Sequence, residues 1–173
     1  MLNKIAAACA MLLLISGAAF AQGAKLNDAQ IAHIAYTAGL ADIANAKLAL
    51  KKSKNKDVRA FAQDMARDHK AVNDKALALV KKLKVKPQDN PTSKAIAKGQ
   101  ADERAKLSKL KGKAFDKAYI DNEVAYHKTV DNALESTLIP SASNGELKSL
   151  LETGLKIFQG HLEHAEHVAA EFK

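Results

Sequence analysis

The stretch VRAFAQDMARDHKAVNDKALALVKKL, residues 58–83, carries the pattern that decides the fold. One set of its residues recurs at alternating spacings of four and three: Val58, Ala62, Met65, His69, Val72, Ala76, Leu79 and Leu83. Such alternation keeps the side chains on one side of an α-helix, where they form a seam that packs against other helices. The pattern predicts a helix from about Asp57 to Lys84, with His69 inside the seam.

Two later stretches show similar spacing, and each seam again contains a histidine. The first seam comprises Ile120, Glu123, His127, Val130 and Leu134. The second comprises Leu147, Leu151, Gly154, Phe158, His161, Ala165, Val168 and Phe172. The string HKAVND that begins at His69 also nearly recurs, 58 positions later, as HKTVDN at His127. These repeats predict that histidines from three helices face a common interior.

The composition favours an all-α fold, because Ala, Leu and Lys dominate and proline occurs only at positions 87, 91 and 140. Asn27 and Gln30 resemble a capping box at the start of a first helix that ends near Ser53. We expect an antiparallel four-helix bundle. It comprises a hairpin over 27–84, a connector over 85–113 with a short helix near 92–111, and a hairpin over 114–172. The last hairpin is expected to consist of helices over 114–138 and 146–172, separated at IPSASNG.

The N-terminal 21 residues have the features of a secretory signal peptide. A basic start at Lys4 precedes an apolar run, and Ala19-Phe20-Ala21 provides a small-x-small cleavage pattern. We therefore expect a periplasmic or secreted protein, cleaved after about Ala21, whose residues 22–173 form a single domain. The only cysteine, Cys9, lies within the leader, so the mature chain is expected to have no disulfide or cysteine ligand.

The charge balance bears on the class of partner. The formal net charge is +8, or +7 after removal of Lys4 with the leader. The lysines are spread along helix faces among acidic residues, and no aromatic residues alternate with them as base-stacking platforms would require. We therefore expect no nucleic-acid binding, and attraction to an anionic envelope surface is the expected electrostatic partnership.

The seam histidines and nearby carboxylates predict a metal site. Asp42 lies 11 residues before Ser53, and His69 lies 12 after Asp57, so the two should be level in a helical hairpin. His127 and His161 are offset by four residues on the same count, or about 6 Å. Imidazole and carboxylate suit a divalent transition metal such as zinc, iron or copper. The candidate ligands are His69, His127, His161, Glu123 and Asp42, and the outer positions are Asp68 and His164.

Two other interpretations remain open. The seam histidines and carboxylates could form a buried hydrogen-bond network that fixes helix register in a non-catalytic structural or protein-interaction module. A metal-dependent oxidoreductase is a third interpretation. The sequence contains no recognisable nucleophile elbow and no Gly-rich phosphate loop, so a non-enzymatic role is favoured.

Four segments resemble the exported bacterial domain-of-unknown-function family 4142 (DUF4142). They are AGLADIANAKLALKKS, VRAFAQDMARDHKAVND, AFDKAYIDNEVAYHKTV and HLEHAEHV. The resemblance covers nearly the whole mature chain and implies a ferritin-like bundle in the bacterial envelope. It implies no established activity.

The resemblance also implies where the family's polar positions fall, namely at Asp42, Asp68, His69, Glu123, His127 and His161. The family more usually has Glu where this chain has Asp42, which shortens that arm. Ferritin-like di-iron proteins use paired Glu-x-x-His motifs, whereas Glu123 and His127 are spaced by four and no Glu-x-x-His occurs. We therefore expect a mononuclear or histidine-rich site rather than a di-iron centre.

Overall fold

A computed structural model describes residues 25–172, and all regular structure in that range is helical. The helices are α1 (Asp28–Lys52), α2 (Lys56–Lys82), α3 (Pro91–Lys109), α4 (Gly112–Ala133), α5 (Ile139–Ser141) and α6 (Gly145–Ala170). A π-helical turn, Leu134–Leu138, joins α4 to the three-residue α5. The all-α prediction is confirmed, while the predicted signal peptide at 1–21 lies outside the described residues.

Asparagine side chains cap the N-termini of α1, α2, α3 and α6, where they satisfy backbone N–H groups that have no partner within the helix. In α1 the predicted capping box is present: Asn27 Oδ1 accepts from the Gln30 amide at 2.9 Å, and Gln30 Oε1 accepts from the Asn27 amide at 3.1 Å. Asn55 caps α2 in the same general way, and Asn144 caps α6. These caps fix where α1, α2 and α6 begin, whereas α4 begins without a side-chain cap.

The long helices enclose a polar layer between two apolar clusters. α1 packs against α2, α3 and α4, while α6 packs against α2 and α4. One cluster contains Met65 and Tyr119, and the other contains Leu134 and Phe158. Along α2, α4 and α6, each seam histidine lies between residues of the first cluster and residues of the second. The predicted seams are therefore the core-facing sides of these helices.

The segment around Pro140 differs from the prediction. We expected the helix that begins near residue 114 to end at Leu138, but the helical path continues through Pro140 to Ser141. Proline lacks an N–H and its ring clashes with the carbonyl four residues earlier. A π turn immediately before it, in which the Ile139 amide donates to the carbonyl of Leu134, lets the chain pass this obstacle without stopping.

The connector helix α3 packs closely against α1. Asn45 is fully buried on α1, and its side-chain amide donates to Gln100 Oε1 at 2.9 Å. Arg104 donates to Asn45 Oδ1 at 3.3 Å, and Leu107 is buried in the first apolar cluster. α3 thus covers the side of α1 that carries Asn45, three residues after the buried Asp42.

None of the helices in the described range is long and apolar enough to span a membrane.

Candidate metal centre

The five predicted ligands are all buried in the described structure. Each of Asp42, His69, Glu123, His127 and His161 is at most 6% exposed. They come from α1, α2, α4 and α6. Buried carboxyl and imidazole groups are costly unless they are paired, so this concentration of polar groups requires a physical explanation.

The three seam histidines form a nearly equilateral triangle. The ring centroids lie 5.7 Å apart for His69 and His127, 5.3 Å for His69 and His161, and 5.7 Å for His127 and His161. One ring nitrogen from each lies within 4.8 Å of the other two. Three imidazoles bound tetrahedrally to one zinc ion, with Zn–N near 2.0–2.1 Å, would place their centroids roughly 5.2 Å apart. The rings therefore already have nearly the separation that a shared ion requires.

His127 presents one free nitrogen to this triangle. Its Nδ1 lies 3.0 Å from the backbone carbonyl oxygen of Glu123, one helical turn earlier. A carbonyl can only accept, so Nδ1 carries the proton and Nε2 keeps its lone pair. Nε2 is buried with no hydrogen-bond partner. Metal-bound histidines typically donate their second ring N–H in this manner.

His161 is oriented by a carboxylate. Its Nε2 lies 3.1 Å from Asp68 Oδ2, and Arg67 donates to both oxygens of Asp68, at 2.7 and 2.9 Å. The hydrogen bond from Arg67 is the main reason that the pKa of Asp68 lies below its usual range. Asp68 is therefore ionised, which makes His161 Nε2 the donor and leaves the buried Nδ1 without a partner.

A second grouping joins two carboxyl groups to His127, which also belongs to the histidine triangle. Oxygens of Asp42 and Glu123 and a ring nitrogen of His127 lie within 4.8 Å of one another. Asp42 Oδ2 also lies 3.4 Å from His69 Nε2, as the level heights of the two residues in the hairpin predicted. Asp42 and His69 therefore bridge the carboxyl grouping to the histidine triangle.

Burial governs the protonation of both groupings. It raises the pKa of Glu123 to about 8, and burial together with the Glu123 charge raises the pKa of Asp42 well above its ordinary value. Burial also lowers the pKa of His127 to about 4 and depresses the pKa values of His69 and His161. At neutral pH the three imidazoles are uncharged, which is the form that binds a metal.

Comparisons with known proteins establish the family. A family model described as "Domain of unknown function (DUF4142)" matches residues 15–168. The chain belongs to this family. A search of curated proteins finds no match to the sequence.

The DUF4142 chain also shares its fold with a solved structure. That crystal structure is of a DUF305 protein from Streptomyces coelicolor, described as secreted. The match covers 84% of this chain and 93% of that one, with a TM-score of 0.71 and 14% sequence identity. At this identity the likeness concerns the fold alone.

The sequence analysis missed two buried acids of α4 in the DUF4142 chain, Asp116 and Asp131, and the second lies close to the site. Asp131 is 6% exposed, and neither of its carboxyl oxygens has a hydrogen-bond partner. Burial and the nearby Glu135 raise the pKa of Asp131 to about 6, and the Asp131 charge contributes to the raised pKa of Asp42. The signal lay in the i, i+4, i+8 series formed by Glu123, His127 and Asp131.

The two outer positions have different surroundings. Asp68 contacts His161 directly, so the structure brings it to the site. His164 lies outside both groupings: its ring packs edge-on against Phe61 at 5.3 Å, and its Nδ1 lies 3.9 Å from Asp64. His164 therefore contacts Phe61 and the Asp64 that pairs with Arg67, and it belongs to neither ligand grouping.

Proposed function

We propose that the DUF4142 protein is an exported, ferritin-like, antiparallel four-helix bundle that binds one divalent transition-metal ion between its helices. His69, His127 and His161 are the primary ligands in this proposal, and Glu123 and Asp42 are the carboxyls available to complete the coordination. Zinc, iron and copper are the candidate ions. The corresponding role is metal handling or stress protection in the cell envelope.

The single observation that carries the proposal is the set of unpartnered nitrogens. His127 Nε2, His161 Nδ1 and both ring nitrogens of His69 are buried without hydrogen-bond partners. Leaving one buried polar atom unsatisfied costs about 1–3 kcal/mol. A polar network that served only to fix helix register would be expected to satisfy its own members. An ion accepting three lone pairs would remove this penalty at three positions together.

The position of the site also supports binding of an ion rather than catalysis on a large substrate. The ligands belong to four different helices, so coordination would link α1, α2, α4 and α6 at one level. Arg67 and Asp68 would hold His161 in a fixed orientation, and the Glu123 carbonyl would do the same for His127. Such supporting contacts tune metal affinity by orienting the ligands.

The alternative is a structural or interaction module with a polar core. One contact favours it: the His69 ring stacks on Phe158 with centroids 4.4 Å apart and planes 7° apart. This packing would position a histidine whether or not an ion is present. The two functions differ in whether the purified chain retains a stoichiometric ion.

The test is a metal count on the mature protein, expressed without a histidine tag. Zinc(II), copper(II) and iron(II) are titrated separately, and bound ions are counted by mass spectrometry under native conditions. We expect one tightly held ion per chain, lost in His69→Ala and in His127→Ala. His167→Ala provides the control, because His167 is an exposed histidine of α6 outside both groupings. A wild-type chain that binds no ion, or ion binding unchanged in His69→Ala and His127→Ala, would contradict the metal site and favour the structural module.

A further inference from the structure

A small cavity, partly open to solvent, lies beside the candidate metal centre, toward the second apolar cluster. Its volume is about 60 Å³. Asp42 and His69 form part of one wall, and Asn73 lies next to them. The remaining walls are apolar and come from α1, α2, α4 and α6, from the π turn and from α3. They include Ile34, Val72, Ile96, Leu134, Leu151 and Phe158.

The cavity exists because small residues line it where a packed core would have larger ones. Protein interiors are close-packed, and few voids exceed the size of a water molecule. Here four helices each contribute a residue with little or no side chain: Ala35 from α1, Ala76 from α2, Ala133 from α4 and Gly154 from α6. The space is therefore encoded in the sequence of four separate helices.

The chemistry of the walls selects the occupant. A buried water requires two to four polar partners, and apolar cavities remain dry. Asn73 is held by a hydrogen bond from its side-chain amide to the carbonyl of Tyr36, at 3.3 Å. Asp42 and His69 supply polar atoms at that same wall only. The rest of the cavity has no hydrogen-bonding side chain to offer, so an apolar molecule fits it better than a cluster of waters.

The size limits the occupant further. An apolar cavity of about 150 Å³ accepts benzene, and roughly 10–15 Å³ suffices for one water. A volume of about 60 Å³ is thus too small for an aromatic ring and is ample for a molecule of two or three heavy atoms. His69 forms part of the wall, so such a molecule would lie in contact with a residue of the candidate metal centre.

We propose that this cavity is a binding site for one small apolar molecule, of the size of a diatomic gas, held against His69. The walls of the cavity consist of protein side chains, so this site does not require the proposed ion. If the proposed ion also binds, the site would deliver an apolar molecule to the neighbourhood of that ion.

Xenon is the probe, applied to metal-free protein in the presence of a chelator. Crystals are pressurised with xenon, and its ¹²⁹Xe resonance is followed in solution against protein concentration. We expect one xenon site bounded by Ala76, Leu151 and Phe158. Ala76→Leu adds an isopropyl group at the wall and should abolish this site. Ala78→Leu is the matched control, since Ala78 is exposed on the same helix and should leave binding unchanged.

A second pair keeps the test sharp if Ala76→Leu overpacks the core and fails to fold. In Gly154→Ala the new methyl would meet Phe158 at 3.4 Å and Val72 at 3.8 Å, which is ordinary contact, and it narrows the cavity. Gly160→Ala, on the same helix, is the matched control, because a Cβ at that position meets no atom within 4 Å. We expect several-fold weaker xenon binding in the first variant and none of that loss in the second. Ordered water filling the cavity, or equal xenon binding in both members of each pair, would overturn the proposal.

Discussion

Asp68 Oδ2 and His161 Nε2 lie 3.1 Å apart, so a partly exposed carboxylate fixes the proton on a buried imidazole. Arg67 donates to both oxygens of that carboxylate and also to Asp64 Oδ1 at 2.7 Å. The ion pair on the surface of α2 therefore decides which nitrogen of His161 faces the interior. This relationship connects a polar surface feature to the candidate metal centre.

Asp68→Asn should weaken metal binding without removing the site. The amide can donate as well as accept, so it no longer favours the tautomer in which Nδ1 has the lone pair. Changes at such supporting positions cost 10–100-fold in metal affinity, and we expect a loss of about that size with one ion still bound per chain. Isothermal titration with zinc measures both quantities.

Asp64→Asn is the matched control for this prediction. Asp64 also pairs with Arg67, but it makes no hydrogen bond to His161, and its ion-pair contact is with His164, outside the triangle. The zinc affinity of this variant should remain close to that of the wild type. Equal losses in the two variants would mean that Asp68 acts through general charge rather than through His161.

Glu123→Gln should make the metal-free protein more resistant to alkaline pH. The folded-state pKa of Glu123 is about 8, above its ordinary value of 4.5, because burial disfavours the charged form. The unfolded chain loses the Glu123 proton at a lower pH than the folded chain does. The contribution of Glu123 to the free energy of unfolding therefore falls as pH rises from about 4.5 to 8. Between pH 6.5 and 8 the wild type should lose about 2 kcal/mol relative to Glu123→Gln, which does not titrate.

Urea unfolding at both pH values, with a chelator present, measures that difference. Below pH 6.5 the depressed pKa values of the seam histidines act in the opposite direction, so the comparison is restricted to the higher window. Glu163→Gln, at an exposed acid of α6, should show the wild-type dependence on pH. A Glu123→Gln curve parallel to the wild type would contradict the raised pKa.

Gly39→Ala should destabilise the fold, because α1 and α2 approach closely there. A Cβ at Gly39 would lie 2.5 Å from Oδ1 of Asn73, whose buried side chain already donates to the Tyr36 carbonyl. Relieving such an overlap costs about 1–3 kcal/mol, which exceeds the gain in helix propensity. Gly99→Ala, which meets nothing within 4 Å, should instead be neutral or stabilising by up to about 1 kcal/mol. Chemical denaturation of both variants measures the contrast.

Helix seams could be predicted because burial imposes a period on the sequence. In α6 every predicted seam residue from Leu147 to Val168 is buried, and in α2 the first half of the seam is buried while its later members are half-buried. The level placement of Asp42 and His69 followed from counting residues to the turn, because α-helical rise is constant. These features depend on local geometry, which a sequence pattern records.

The alternating spacing of the seams did not predict two other features of the fold. Proline ordinarily ends a helix, and nothing in the pattern shows that a π turn at 134–138 lets the chain pass Pro140. Asp131 lies next to the predicted seam residue Val130. Each step of four residues along an α-helix rotates the side chain by about 40°, so the series Glu123, His127 and Asp131 moves away from the predicted seam. The seam pattern therefore did not show that Asp131 is buried. Both depend on how α4 meets its neighbours.

Zinc should stabilise the chain through the histidine triangle. A ligand that binds only the folded state adds about 2.7 kcal/mol when its free concentration is 100 times the dissociation constant. We expect this increase in the unfolding free energy of the wild type and little or none in His161→Ala. Denaturant titrations with and without zinc provide the comparison, and His164→Ala should retain most of the increase. An increase of the same size in His161→Ala would place the ion elsewhere.

X-ray anomalous diffraction from crystals grown with zinc would test the central claim most directly. A single peak inside the triangle of His69, His127 and His161, within about 2.0–2.1 Å of one nitrogen from each ring, is the predicted result. A peak only beside the exposed histidines of α6, or no peak in the interior of a chain that keeps the fold described here, would contradict it.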